Sequence, residues 1–234
     1  MKQFFTLALA SLLSQAVIAQ DAPKSIEKTR KAGKVGKVYF GINMDSYLLS
    51  SSLLEKSGED FVTVPRFTLF PHIGTTAHYN FSKGFGIYSG LGVKNLGFIE
   101  KYNNPDSTVI RRNYTIGIPL GLKFGNMFGT YAMIGGGIDI PFWFKEKGFV
   151  KRNDKVKTNE WFSQRSATVL PYVFVGARFN PGVYVKATYY PTNFLNPDFK
   201  ETVNGLTVQP YKDYNVNLLL VSVGIDLPYR PKYD

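Results

Sequence analysis

An imidazole beside a serine hydroxyl and a carboxylate can act as general base in ester hydrolysis. The chain offers two histidines for such work, His72 and His78. They are six residues apart, so on an extended strand they share a face but lie about 20 Å apart at ~3.4 Å per residue. They can neither act together nor hold one metal ion, and no His-x-Ser pattern accompanies either. The absence of cysteine removes a thiol nucleophile, Cys-based metal sites and a disulfide framework. The runs Gly135-Gly136-Gly137 and Gly90-Leu91-Gly92 lack the Lys-Ser/Thr or GxGxxG context of a phosphate-cradling loop. Glycines there make room in a crowded interior instead. No residue is assigned to catalysis, to a cofactor or to a metal.

A second constellation is ionic. Asp45, Lys94, Lys123, Asp139, Arg178, Lys186 and Asp226 lie inside extended segments whose side chains alternate. The clearest segment, Tyr114 to Phe124, reads Tyr, Ile, Ile, Leu, Leu, Phe on one face and Thr, Gly, Pro, Gly, Lys on the other. Seven more follow the same period: about 37–48, 67–82, 85–99, 128–144, 167–180, 183–195 and 214–229. Three connections are tight turns, Ser82-Lys83-Gly84, Gly125-Asn126-Met127 and Asn180-Pro181-Gly182. The others, about 49–66, 100–111, 145–166 and 196–213, run from about a dozen to some twenty residues. Short turns at one end and long loops at the other predict an all-β fold: an eight-stranded antiparallel transmembrane β-barrel with short periplasmic turns and long extracellular loops.

A soluble barrel would bury its apolar face and carry charges outside. Seven charges over eight strands are too few for that, and each shares a face with the smaller, more polar set. They are therefore expected to form an ion-paired network filling a lumen that eight strands leave only wide enough for side chains. Lys123, Arg178, Lys186 and Asp226 should cluster near the periplasmic end and the other three higher. Aromatic residues near both ends of the segments read as two interfacial belts. Tyr39, Tyr79, Phe81, Phe85, Phe124, Phe128, Phe179, Tyr184 and Tyr229 fall on the periplasmic side. Tyr47, Phe67, Phe70, Phe98, Tyr114, Phe142, Trp143, Phe144, Tyr189, Tyr190 and Phe194 fall on the other. Ile118→Lys is expected to cost about 2–4 kcal/mol on the lipid face, and Gly117→Ser less. Prolines 71, 119, 141, 171 and 191 interrupt ladders, with a bulge or break expected at Pro119.

Of 234 residues, 28 are Lys or Arg and 17 Asp or Glu, a net charge of +11. Much of the excess sits in two blocks, 24–37 and 145–165. These read as a solvated linker and a solvated loop; anionic lipid headgroups suit them better than nucleic acid, which is excluded as a partner. Residues 1–19 read as a signal peptide cleaved after Ala19, which lowers the charge to +10. Residues 20–36 then form a basic periplasmic linker, 37–229 the barrel and 230–234 a short tail. The long loop 145–166 could meet lipopolysaccharide phosphates, with Trp161 and Phe162 seating it on the rim.

The last strand carries Ser222, Gly224, Leu227 and Tyr229 at the spacing of the C-terminal signal read by the barrel-assembly machinery, which it resembles, although Arg230 to Asp234 follow. The run Ile118-Pro119-Leu120-Gly121-Leu122-Lys123-Phe124 resembles the IPL-x-LK-aromatic strand of small Bacteroidetes outer-membrane barrels, the PorT-like group. That resemblance implies an eight-stranded barrel in the outer membrane of a Gram-negative bacterium, surrounded by lipid and lipopolysaccharide, and carries over no catalytic residue. The expected role is non-enzymatic: an accessory or structural component of an envelope complex. Alternatives are a PorT-like part of the type IX protein secretion system, a narrow porin-like channel for small solutes, and a lipid A deacylase-type enzyme using His72 or His78.

Overall fold

The computed structural model describes residues 35–56, 59–67, 71–103, 106–150 and 154–228. The signal peptide, nearly all of the basic linker, Tyr229 of the assembly signal, Phe70 and the tail lie outside them. Eight strands close a ring: β1 (Val38–Lys56), β3 (His72–Asn80), β4 (Phe85–Asn103), β5 (Asp106–Gly125), β6 (Tyr131–Val150), β8 (Leu170–Arg178), β9 (Val183–Tyr190) and β12 (Tyr214–Pro228). Each pairs antiparallel with its neighbours in that order, and β12 returns to pair with β1. Every segment with period two supplies one of these strands. Above the rim, β2 (Glu59–Val62) extends along β1 and β7 (Asp154–Trp161) along β6, while β10 (Glu201–Val203) and β11 (Leu206–Val208) form a separate hairpin.

The wall is apolar on its outer face. Leu120, Ile134, Val175 and Leu227 are each more than half exposed, and same-parity neighbours such as Ile118, Ile138 and Ile225 are exposed as well. Its interior holds buried Asp45, Lys123, Asp139, Arg178 and Asp226. That polarity is inverted relative to a protein folded in water, and it is stable only where hydrocarbon is the outer solvent. Dimensions agree. On β5 the outward Phe124 and Tyr114 are ten residues apart, about 34 Å of strand and about 26 Å of height at a tilt near 40°, against an apolar band ~25 Å tall.

Prolines shape the ladder locally. Between β4 and β5 the pairs Ser89–Leu120 and Gly92–Gly117 keep one register, but no pairing spans Ile118-Pro119. The freed Pro119 carbonyl accepts a hydrogen bond from the Ser89 hydroxyl, 2.8 Å. At Pro141 the β5–β6 register shifts by one, leaving Phe142 as a bulge. Pro71 lies outside β3, so that strand begins at His72 instead of near 67. Residues 64 and 66 fill the wall above it, bridging to Ile99 and Ser50.

Several inward positions of the wall are glycine. Inward positions Gly117, Gly121, Gly135 and Gly137 lie against large side chains that reach over them from nearby strands. A Cβ on Gly137 would come 2.5 Å from the Tyr172 hydroxyl and the Ile118 carbonyl. A Cβ on Gly135 would meet the Leu120 carbonyl, the Gly121 Cα at 2.7 Å and the Phe174 ring at 2.8 Å. Gly135→Val should therefore cost at least the ~1–3 kcal/mol of core overpacking. It should show as a lower urea midpoint for loss of the heat-modifiable band.

Candidate functional site

Four clusters fill the lumen from the short-turn end upward. At the base, Arg178 Nε lies 3.3 Å from Asp226 Oδ2, and the Tyr131 hydroxyl lies 3.5 Å from the same carboxylate. Beside them Lys123 donates to Asn80 Oδ1 at 2.7 Å and to the Tyr39 hydroxyl at 3.3 Å. His78 stacks between Tyr39 and Tyr88, and its Nδ1 lies 3.3 Å from Lys123 Nζ.

At mid-height Asp45 gathers three partners. His72 Nδ1 sits 2.9 Å from Oδ1, while Oδ2 accepts from the Tyr184 hydroxyl at 2.7 Å and from Lys186 at 3.3 Å. Across the lumen, Asp139 accepts from Lys94 at 2.9 and 3.1 Å and from the Tyr190 hydroxyl. The Lys94 ammonium also lies 4.0 Å from the centre of the Tyr172 ring. Lys186 thus belongs to the Asp45 cluster and not to the basal one, because the tilt of the strands raises it to the level of β1. Each ion of the seven lies beside one of opposite sign except Lys123, which is held by neutral acceptors.

Above this polar layer the lumen turns mostly apolar, with the buried Asn113–Ser166 pair among the hydrocarbon side chains. Leu96, Phe98, Phe144, Leu170, Phe194, Val216, Leu218 and Leu220 are almost wholly buried, with Phe98 and Phe194 packed edge to face. Residues 193–195 continue the wall above β9, bridged to Ser166 and Val216. The mouth is closed by a fourth cluster. Arg111 donates to Glu100 and to Glu146, both at 2.6 Å. Tyr214 and Tyr211 complete the ring around those carboxylates, and Arg165 ties Glu160 to Glu201 at 2.9 and 2.6 Å. Glu100, Arg111, Glu146, Glu160 and Arg165 fall where the sequence reads as loops 100–111 and 145–166, and Glu201 and Tyr211 in loop 196–213. Strands projecting beyond a membrane have two wet faces and lose the alternation that marks a span.

The aromatic belts need correction. Tyr47, Phe98, Phe144, Tyr184, Tyr190 and Phe194 are buried inside, not at the lipid interface. Tyr39 is inside too, bound to Lys123 and stacked on His78. Strand-end position alone does not separate the two faces; parity does. The outer belts are Phe81, Phe85 and Phe124 in contact below, and Tyr114, Trp143 and Trp161 stacked above.

Both histidines sit inside the wall, 4% and 3% exposed, and face away from lipid. The His72–Asp45 pair has the geometry of a base and its orienting acid, and its imidazole packs against Tyr47 at 4.2 Å between ring centres. A polar cavity of about 60 Å³ is lined by Asn43, Asp45, His72, Lys94, Tyr172 and Asp226 among others. The Asn43 carbonyl and Tyr172 hydroxyl have no protein partner there, so it suits a few waters.

At the mouth, outside the membrane-crossing strands, burial pushes the Glu160 carboxyl up. Hydrogen bonds from Ser163 and Arg165 outweigh it and leave the pKa lowered. A lowered acid pKa stabilises the fold above the ordinary glutamate value, near 4.3, and the contribution is lost as pH falls through the folded value. Trp161 emission should therefore hold steady from neutral pH down to about 4.3 and change only below it. Glu160→Gln should remove that acid step, which a fluorescence titration reads.

No protein-family model and no curated protein matches the sequence. Among proteins of known structure, the chain is similar to Neisserial surface protein A, with 11% identity over 82% of this chain and 99% of that one, TM-score 0.41. It is similar also to CarO of Acinetobacter baumannii, with 10% identity over 78% and 98%, TM-score 0.37. Ail of Yersinia pestis, solved with the heparin analogue sucrose octasulfate, shows 14% identity over 82% and 99%, TM-score 0.32.

Proposed function

We propose that this protein is a non-enzymatic outer-membrane β-barrel with a side-chain-plugged lumen, acting as an accessory or structural component of an envelope complex. The observation that carries this reading is the unbroken stack of lumen clusters, ionic at base and middle, apolar above, ionic again at the mouth. A solute path would need a continuous polar channel, and the apolar layer around Phe98 and Phe194 interrupts it. A lipid hydrolase would need its base on the lipid side of the wall, whereas His72 and His78 lie on the other. What remains available to partners is the outer wall and the β6–β7 projection.

The Ile118–Phe124 strand supports a more specific version, a PorT-like subunit of type IX protein secretion. Purification of the tagged protein from its native outer membrane in mild detergent, followed by mass spectrometry, tests both. A stoichiometric set of envelope proteins supports the complex, and secretion proteins among them support the specific version. A barrel recovered with lipid alone contradicts both.

A further inference from the structure

On the outer face of the three-stranded sheet formed by β5, β6 and β7, residues line up in rows across the ladder. Tyr114, Trp143 and Trp161 are register partners and stack with ring centres 4.9 and 4.7 Å apart. Below this row the same face is lipid-facing Ile116, Ile118, Ile138 and Ile140. One step above it, Arg112 pairs with Lys145 and Lys145 with Asn159; the next row sets Ile110 beside Lys147 and Lys147 beside Lys157. Directly opposite residues share a face, so four cations crown the aromatic row.

Two carboxylates of these strands point the other way. Glu146 is turned to Arg111 and Glu160 to Arg165 on the lumen side. Lys145 Nζ rests 3.5 Å above the Trp143 ring centre and 5.3 Å from that of Tyr114. Burial, then the neighbouring cations Lys147 and Arg112, depress its pKa; an anion beside the three would relieve the repulsive part.

We propose that this face binds the phosphate groups of an outer-leaflet glycolipid, a diphosphorylated glucosamine lipid of the lipid A type. Height selects a lipid source, since the aromatic row marks the interface and the cations begin one residue pair above it, where headgroup phosphates lie. The acyl chains would then lie along the isoleucines below. The inference rests on the membrane-barrel reading and adds a ligand to it.

The chain's two tryptophans are both in this row, so its intrinsic fluorescence reports the site directly. The full mature chain, folded in octyl glucoside micelles, would be titrated with diphosphoryl lipid A, with the same lipid stripped of phosphate, and with inorganic phosphate. Diphosphoryl lipid A should shift the emission saturably and the other two should not. Arg112→Gln/Lys145→Gln/Lys157→Gln should weaken binding about tenfold or more, since each lost contact is a charge-assisted bond. Arg112→Gln/Lys157→Gln, which leaves Lys145 over Trp143, should weaken it too, while Lys83→Gln at the opposite end should not. Equal binding by the triple variant, equal binding of the dephosphorylated lipid, or reproduction of the shift by inorganic phosphate would each overturn the proposal. Heat-modifiable migration checks every variant for folding. Its absence in the unaltered chain would contradict the barrel itself, and its presence without binding would contradict only the lipid site.

Discussion

Asp139→Ala should cost about 3–5 kcal/mol of unfolding free energy, the range for removing one partner of a buried ion pair. Asp139 is fully buried and accepts two hydrogen bonds from Lys94 and one from Tyr190. Its removal strands an ammonium whose side chain is 15% exposed and takes from the buried Tyr190 phenol its carboxylate acceptor. The loss comes from the orphaned charge more than from any net worth of the pair. Lys94→Met/Asp139→Leu should therefore recover much of it, because both desolvation penalties vanish together. Urea titration in lipid vesicles, read by heat-modifiable migration, measures the three variants. A double variant as unstable as the single one would mean that shape and not charge governs this layer.

Ile118→Lys should cost about 2–4 kcal/mol, as for a cation near the midplane of a barrel's lipid face. Ile118 lies on the outer wall, 40% exposed, between the aromatic rows at Phe124 and Tyr114. The inward neighbour offers the contrast. Thr115 is fully buried, and its hydroxyl has no hydrogen-bond partner among the described residues, so Thr115→Val should be neutral or stabilising. Gly117→Ser does not serve as the mild comparison that sequence parity suggests. A Cβ there would strike Asp139 Oδ1 and come within 2.9 Å of the Lys94 side chain, displacing the ion pair.

Alternation made the eight strands legible, because lipid on one side and a packed polar lumen on the other impose period two over each crossing. The seven charges could be assigned to a face for the same reason. Heights around the ring could not. They depend on the stagger between strands, which raises Lys186 to Asp45, and no single strand records it. Tyr184, Tyr190 and Tyr47 escaped notice as lumen residues because a tyrosine at a strand end suits an interface as well as a buried hydrogen bond; their shared parity with Lys186, Asp45 and each other was the available signal. Leu48 shows a second limit. It is an extra residue between register pairs on β1, and it flips inward positions from odd to even, so alternation read as far as residue 48 gives no guide beyond it. Above the rim, Arg111, Glu100 and Glu146 stood in segments without a dry face, and only folding brought them together.

Single-channel recording in planar bilayers tests the filled lumen most directly. The purified barrel should insert without discrete conductance steps, because the Phe98–Phe194 layer separates two ionic layers that are themselves paired. Regular, ion-selective steps from the unaltered protein would contradict a plugged lumen and make this a channel.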